Sequence, residues 1–245
     1  VLPESLFIGV LLLCALPSTV QSSIALTSLA KGNVAAAICS ASVSNVLGVV
    51  LTPVLLGVLA RTEGGISAES LGEILLLLLV PFLLGLALHP WLSGWLQRHR
   101  TVLGGAERGV ILAVVYSAFS KGAVSGVWQQ VTPLLLALLV LLAAVLLTTA
   151  LGLLHLTARW CGLTREDRIV AVFCGAQKSL ASGLPMATVL FGDERVSLIV
   201  LPLMLYHQLQ LIVCAWLARR FARTETTSVA SESDTSRAGA RSSKT

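Results

Sequence analysis

The sequence predicts an all-α, polytopic membrane protein. Three observations carry that expectation. The 245 residues are 56% hydrophobic and only 12% charged, about half the charge of an average soluble domain, and the mean hydropathy is +0.88. The apolar residues are gathered into runs near the ~20 residues that a helix needs to cross a bilayer. The charged residues fall in connectors that alternate between Arg-rich and Arg-poor. One soluble core has no room for so much apolar surface. An ordinary soluble globule, a disordered chain and a nucleic-acid binder with a basic face are all excluded, although the net charge is +5.

Taken in order, residues 1–16 form most of a membrane span. They carry Glu4 and no basic flank, which argues against a signal peptide. The chain opens on Val1 inside an apolar run, so a fragment whose N-terminus lies upstream is expected. Residues 17–30 are short and hold Ser18, Thr19, Gln21, Ser22, Ser23, Thr27 and Ser28. Lipid does not tolerate that content, so a broken helix buried in protein or lining a wet cavity is expected. Full spans follow at 34–59, 74–92, 110–127, 133–156, 169–190 and 196–217, which makes eight membrane segments. Residues 224–245 are rich in Ser, Thr and Ala and read as a disordered cytoplasmic tail. The five cysteines form no CxxC pair, and their apolar settings suit small hydrophobes better than disulfides or a metal site.

Connector charge sets the orientation. Arg98, Arg100 and Arg108 lie in one connector, Arg159, Arg165 and Arg168 in a second, and Arg219, Arg220 and Arg223 begin the tail. The connectors between them, 61–73, 128–132 and 192–195, are net acidic or uncharged. By the positive-inside rule the Arg-rich connectors and the C-terminus are cytoplasmic, with Lys31 inside and Pro17 outside. A multi-pass protein of the cell (inner) membrane is the expectation.

The polar residues inside the spans point to a site. The segment 169–190 is interrupted by Gly175, Gln177, Lys178, Ser179, Ser182, Gly183 and Pro185. Gly and Pro loosen the backbone ladder, and freed carbonyls can coordinate ions. Lys178 sits near mid-span, where a lysine costs about 2.5–3.5 kcal/mol on insertion scales and is a functional candidate by default. Lys178 and Ser182 are four apart and share a face if the segment is helical, as do Ser179 and Gly183. In 34–59, Ser40, Ser44, Gly48 and Thr52 recur every four residues with Asn45 beside them. That stripe packs helices, or supplies oxygens from Ser40, Ser44 and Asn45 to an ion or ligand. Thr148, Gly152 and His155, and Tyr206, His207 and Gln210, read as inter-helix hydrogen-bonding groups.

A weak internal match pairs Gln21-Ser22-Ser23 with Gln177-Lys178-Ser179. Each is followed by a Gly turn (Gly32-Asn33 and Gly192-Asp193) and a long apolar stretch. If the two units cross in opposite directions, the pattern is that of an inverted-repeat transporter.

LPSTVQSSIALTSLAKGNVAAAICSASVSNVLGVVLTP (residues 16–53) and FCGAQKSLASGLPMATVLFGDE (residues 173–194) resemble the bile acid:sodium symporter superfamily. The similarity is to its bacterial branch of Na⁺-dependent transporters, related to sodium/bile acid cotransporter 7, and extends to about Arg223. The resemblance implies a ten-helix fold of two inverted five-helix repeats, with about eight helices present here and the first two missing. It divides 1–223 into core helices at about 1–60 and 133–218 and panel helices at about 71–127. Two discontinuous helices, 17–30 and 169–190, cross at the substrate and ion site. By position the family's sodium-site residues fall on Ser22 and Ser23, with Ser40 and Ser44 as the nearest candidates from the next helix, and on Gln177. Two positions depart: the family's Glu is Phe173, and an Asn beside the Gln is Lys178. A lost carboxylate and a gained ammonium both weaken attraction for a cation.

The candidate binding set is therefore Ser22, Ser23, Ser40, Ser44, Asn45, Gln177, Lys178, Ser179 and Ser182. The expected function is secondary active transport of a small organic anion by alternating access, with Na⁺ or H⁺ as coupling ion, membrane lipid as surroundings, no other cofactor and no nucleic-acid partner. Proton-coupled or uncoupled transport, with Lys178 in place of sodium, is the alternative. An intramembrane serine hydrolase using Ser182 with His155 or His207 is a remote third, because Leu180 stands where the nucleophile motif wants Gly.

Overall fold

Every apolar run in the described part of the chain is helical. The computed structural model describes the backbone of residues 3–59, 68–124, 126 and 131–242, with side chains undescribed for many residues of 72–123, for 192–195 and for 224–242. The helices are α1 (Glu4–Ala15), α2 (Val20–Leu29), α3 (Val34–Leu59), α4 (Ala68–Arg98), α5 (Arg100–Val124), α6 (Pro133–Trp160), α7 (Arg165–Ala176) and α8 (Leu180–Ser242), and no strand occurs among the described residues. The helix of α8 runs on through the segment whose composition reads as a disordered tail.

The boundaries have local causes. Leu16 adopts an extended conformation, as the residue before a proline must, and Pro17 then ends α1. Thr132 caps α6 by accepting from the Leu135 N–H at 3.2 Å, with Pro133 in the first turn. Thr164 caps α7 by accepting from the Asp167 N–H at 3.2 Å, and Glu166 and Asp167 place negative charge at its N-terminus.

The first two segments, expected from sequence to be separate, form a bent pair of half-length helices. α1 has 12 residues and α2 has 10, so at ~1.5 Å per residue each covers only about half of a ~30 Å hydrocarbon layer. They are bent by 56° across a short break and pass as a span only together. Among the described residues four helices are long and apolar enough to cross a membrane, or five if this bent pair is one span. α7 and the start of α8 repeat the arrangement, with a break at 177–179 inside the span Arg165–Phe191. α8 then reverses between Phe191 and Val196: a Cβ placed on Gly183 would lie 2.7 Å from Leu203 Cδ2, whereas twenty residues of straight helix would separate them by ~30 Å.

Burial sorts the spans. Only 17% of the most apolar windows of α3 and α6 is buried, against 61% for Arg165–Phe191 and 50% for Val196–Arg223. α3 and α6 leave most of their Leu and Val exposed, and the spans that carry Lys178, His207 and Gln210 are the more buried. The main core cluster joins α1, α6 and both arms of α8 through Leu12, Leu16, Leu147, Leu184, Ile199 and Leu203. Of the segments expected on one membrane face, the α2–α3 turn, the start of α7 and the end of the last span meet. Asn33 donates to Asp167 Oδ1 at 2.9 Å, and Arg165 Nη2 donates to the Phe221 carbonyl at 2.7 Å.

A candidate substrate and ion site at two helix breaks

A broken helix frees carbonyls that must find donors inside protein. Around the first break, the carbonyls of residues 14–18 all accept from other elements. Lys178 Nζ donates to Cys14 O at 3.1 Å and Leu16 O at 2.9 Å. Thr52 Oγ1 donates to Ala15 O at 2.8 Å, the Ser179 N–H to Pro17 O at 3.0 Å, and Asn45 Nδ2 to Ser18 O at 2.7 Å. The Ser18 N–H in turn donates to Ser44 Oγ at 3.0 Å.

The second break is held in the same way. The Lys178 N–H donates to Gln210 Oε1 at 2.7 Å, and Gln210 Nε2 donates back to the Lys178 carbonyl at 2.8 Å. That carbonyl also accepts from Thr19 Oγ1 at 2.7 Å. Tyr206 Oη donates to the Ala176 carbonyl at 2.9 Å. The break falls at 177–179, ahead of Gly183 and Pro185, which are helical. Tertiary partners, rather than a local helix breaker, hold it open.

Several sequence-level relations change as a result. Lys178 is outside any helix, so it shares no helical face with Ser182; its ammonium turns to α1 instead. Ser182 Oγ accepts from Ser179 Oγ at 3.0 Å and donates to Asn45 Oδ1 at 3.3 Å. His207 pairs with Gln210 at 2.8 Å, and His155 lines a separate cavity with Arg165 and Arg168, so neither histidine is placed with Ser182. The Gln-x-Ser match does not mark equivalent positions: Gln21, Ser22 and Ser23 lie in the first turn of α2, and the counterpart of Gln177–Ser179 is the 16–19 break. Thr148 is exposed and donates to Ala144 and Val145 of its own helix, so it makes no inter-helix bond there.

Of the candidate set, Ser44, Asn45, Lys178, Ser179 and Ser182 meet at the breaks. Ser22 Oγ donates to Gln177 Oε1 at 2.6 Å, and the buried Ser23 pairs with Ser18 Oγ at 3.2 Å. Ser40 is exposed and lies by the Cys174 thiol, apart from the break carbonyls. Thr19, Thr52, Tyr206 and Gln210 were not in that set, yet each holds a break carbonyl. The signals available for them were Thr19 just after Pro17 and Gln210 one turn beyond His207.

Gln177 is fully buried; its Nε2 makes no hydrogen bond of good geometry among the described residues, and its side chain lies by the Cys214 thiol. A cavity of about 360 Å³ opens beside the breaks, lined by Cys14, Gly175, Lys178 and Tyr206 and by apolar residues of α1 and α6. A sodium ion would need several oxygens turned toward one point, by analogy with other hard cations. The break carbonyls are instead occupied, two of them by an ammonium. Phe173, at the position of the missing carboxylate, is fully buried and packs on Phe221 with ring centroids 6.1 Å apart.

The family assignment follows from comparison. The model of the SBF-like CPA transporter family matches residues 1–223. The chain belongs to that family. It is 53% identical over 225 residues to an uncharacterised protein of Pseudomonas aeruginosa, covering 91% of this chain and 67% of that protein. It is 47% identical over 219 residues to YfeH of Escherichia coli, a candidate symporter by name, covering 89% of this chain and 66% of that one. Sodium/bile acid cotransporter 7 of Rattus norvegicus is 30% identical over 213 residues, 86% of this chain and 63% of the rat protein. The chain thus spans about two thirds of the length of these relatives. Membership places it in a family of transporters rather than enzymes, and its long apolar helices fit a multi-pass membrane protein.

Proposed function

We propose that this protein is a secondary active transporter that moves a small organic anion across the cell membrane by alternating access, with its C-terminus cytoplasmic. The observation that carries the reading is the run of five break carbonyls, 14–18, held entirely by donors from other elements. Such a crossing is costly to build without ligand chemistry to serve, and it lies beside a cavity that holds one ammonium. An anion would use the Lys178 charge and the N-terminal end of α8. The similar break in α1–α2 and α7–α8 supports an inverted repeat, with α4 and α5 as panel against a core of the remaining helices.

The coupling ion follows from Lys178. Its Nζ occupies the carbonyls that a free cation would otherwise meet, so the tethered ammonium stands in for sodium. Coupling is then to protons, or absent. Uptake of radiolabelled organic anions into proteoliposomes of the full-length protein tests both statements. The expected result is saturable uptake that is indifferent to a Na⁺ gradient. Absence of uptake for every anion class overturns the transport reading. Steep Na⁺ dependence that survives Lys178→Gln overturns the reading of Lys178.

A further inference from the structure

The cavity beside the breaks has one charged wall and one aliphatic wall. Away from the breaks its surface is Leu13 of α1 with Leu146, Ala150, Leu153 and Leu154 of α6. Cys14 and Leu153 are exposed, which places the mouth between α1 and α6. At about 360 Å³ the cavity is at the small end of the ~300–1,000 Å³ that small-molecule sites span.

Lys178 supplies the charge. An ammonium has three N–H donors, and two of them go to the Cys14 and Leu16 carbonyls. Both acceptors are neutral, so they fix the head in place without cancelling its charge. The third N–H is left for the cavity that Lys178 lines. Tyr206 adds little for an anion, because its hydroxyl proton is spent on the Ala176 carbonyl.

Resting on the transport reading above, we infer that this cavity takes a compact monoanion with an apolar body, of the short-chain monocarboxylate class. One carboxylate oxygen meets Lys178 Nζ in a charge-assisted hydrogen bond, and the hydrocarbon lies against Leu146, Ala150 and Leu153. A dianion would set its second charge among leucines, and a polyhydroxylated anion would bury hydroxyls against side chains that cannot bond them; both are costly. A neutral amide of the same length forgoes the attraction of the ammonium.

Alkylation of Cys14 by N-ethylmaleimide, followed peptide by peptide in the full-length protein in detergent, reports occupancy at this cavity. The probes are four compounds of equal carbon number: hexanoate, adipate, gluconate and hexanamide. Hexanoate at about ten times its half-protecting concentration should slow Cys14 about tenfold, while Cys39 and Cys161, also exposed, react as before. Adipate, gluconate and hexanamide should each need a concentration at least about ten times higher. Lys178→Gln should lose the protection by hexanoate. Ala150→Leu, which fills the cavity from α6 and leaves Lys178 in place, should lose it too and covers the case in which Lys178→Gln fails to fold. Protection by any of the other three probes equal to that by hexanoate, protection that survives Ala150→Leu, or a Cys14 that the reagent never reaches would each overturn the inference. Saturable uptake of another anion class, with Cys14 unprotected by hexanoate, sinks the inference alone. Protection without uptake of any anion sinks the transport reading alone.

Discussion

The Lys178 ammonium lies 2.9 Å from the carbonyl oxygen of Leu16, the residue that caps α1, 162 residues away in sequence. It also reaches Cys14 O at 3.1 Å. A positive charge at the C-terminal end of α1 meets the negative end of the helix dipole and satisfies two carbonyls that have no partner within the helix.

Lys178→Gln should expose both effects. The shorter amide cannot serve both carbonyls, and leaving the carbonyl of the buried Leu16 unsatisfied costs about 1–3 kcal/mol. The expected outcome in detergent is a lowered melting temperature. Adding NaCl, against an equal concentration of choline chloride, should recover part of it, because Na⁺ can then approach the freed oxygens. Wild-type protein should show no Na⁺-specific shift. A wild type that Na⁺ stabilises as much as the variant would sink the account.

Gln210 clamps the second break by bonding both ends of the Lys178 peptide unit. Gln210→Leu removes donor and acceptor together and strands the Lys178 N–H, at a cost of about 1–3 kcal/mol. The Lys178 carbonyl keeps Thr19. Gln210→Glu keeps an acceptor for the N–H but sets a carboxyl oxygen against the carbonyl, so its melting temperature should fall between those of wild type and Gln210→Leu. Gln210→Leu unfolding at the wild-type temperature would show that the clamp contributes nothing.

The fold class was legible in this sequence because hydrophobic runs and arginine placement are local signals. The broken helix after Pro17 was legible for the same reason, since Ser and Thr have no place in a lone lipid-facing span. The second break was placed too loosely. Gly183 and Pro185 drew attention as breakers, yet both remain helical, and the backbone opens at Gln177, where Gln210, Thr19 and Ser179 supply or take the hydrogen bonds. Those partners are 32 or 159 residues apart or depend on the Pro17 carbonyl, and no window of sequence brings them together. The bend between 1–16 and 17–30 was hidden for a related reason. Hydropathy shows where a run is apolar but not the 56° angle between two half-length helices, where Gly48 packs on Pro17 and Gly183 on Leu16.

Gly48→Ala tests that packing. A Cβ at this position would stand 2.5 Å from Pro17 Cβ, closer than non-bonded carbons come. The neighbour is a proline ring at the break, which cannot swing aside as a flexible side chain would. Overpacking of this kind costs about 1–3 kcal/mol, so a clear drop in melting temperature is expected. Gly152→Ala on α6 is the matched control, because nothing lies within 4 Å of its Cβ position. It should leave stability unchanged or slightly raised, since Ala favours helix over Gly. Equal melting temperatures for the two variants would mean that α3 does not press on the break.

Ser22 and Gln177 join the two broken helices through a 2.6 Å hydrogen bond, and the two ends of that bond should respond unequally to mutation. Ser22→Ala leaves a fully buried Gln177 whose Oε1 has lost its donor while Nε2 already makes no hydrogen bond of good geometry. The expected cost is about 1–3 kcal/mol. Gln177→Leu removes the unsatisfied amide altogether, and the Ser22 hydroxyl, only half-buried, can turn to its own helix or to water. That variant should be near neutral in stability, and the double variant should resemble it. The functional reading reverses the order. If Nε2 is left without a good hydrogen bond because it serves the transported ligand, Gln177→Leu should lose ligand-induced thermal stabilisation while Ser22→Ala retains it in part. Chemical or thermal unfolding of both single variants and the double, with and without an anion that the wild type transports, separates the two effects. A Gln177→Leu variant that unfolds more readily than Ser22→Ala would make the amide a structural strut and remove it from the binding set.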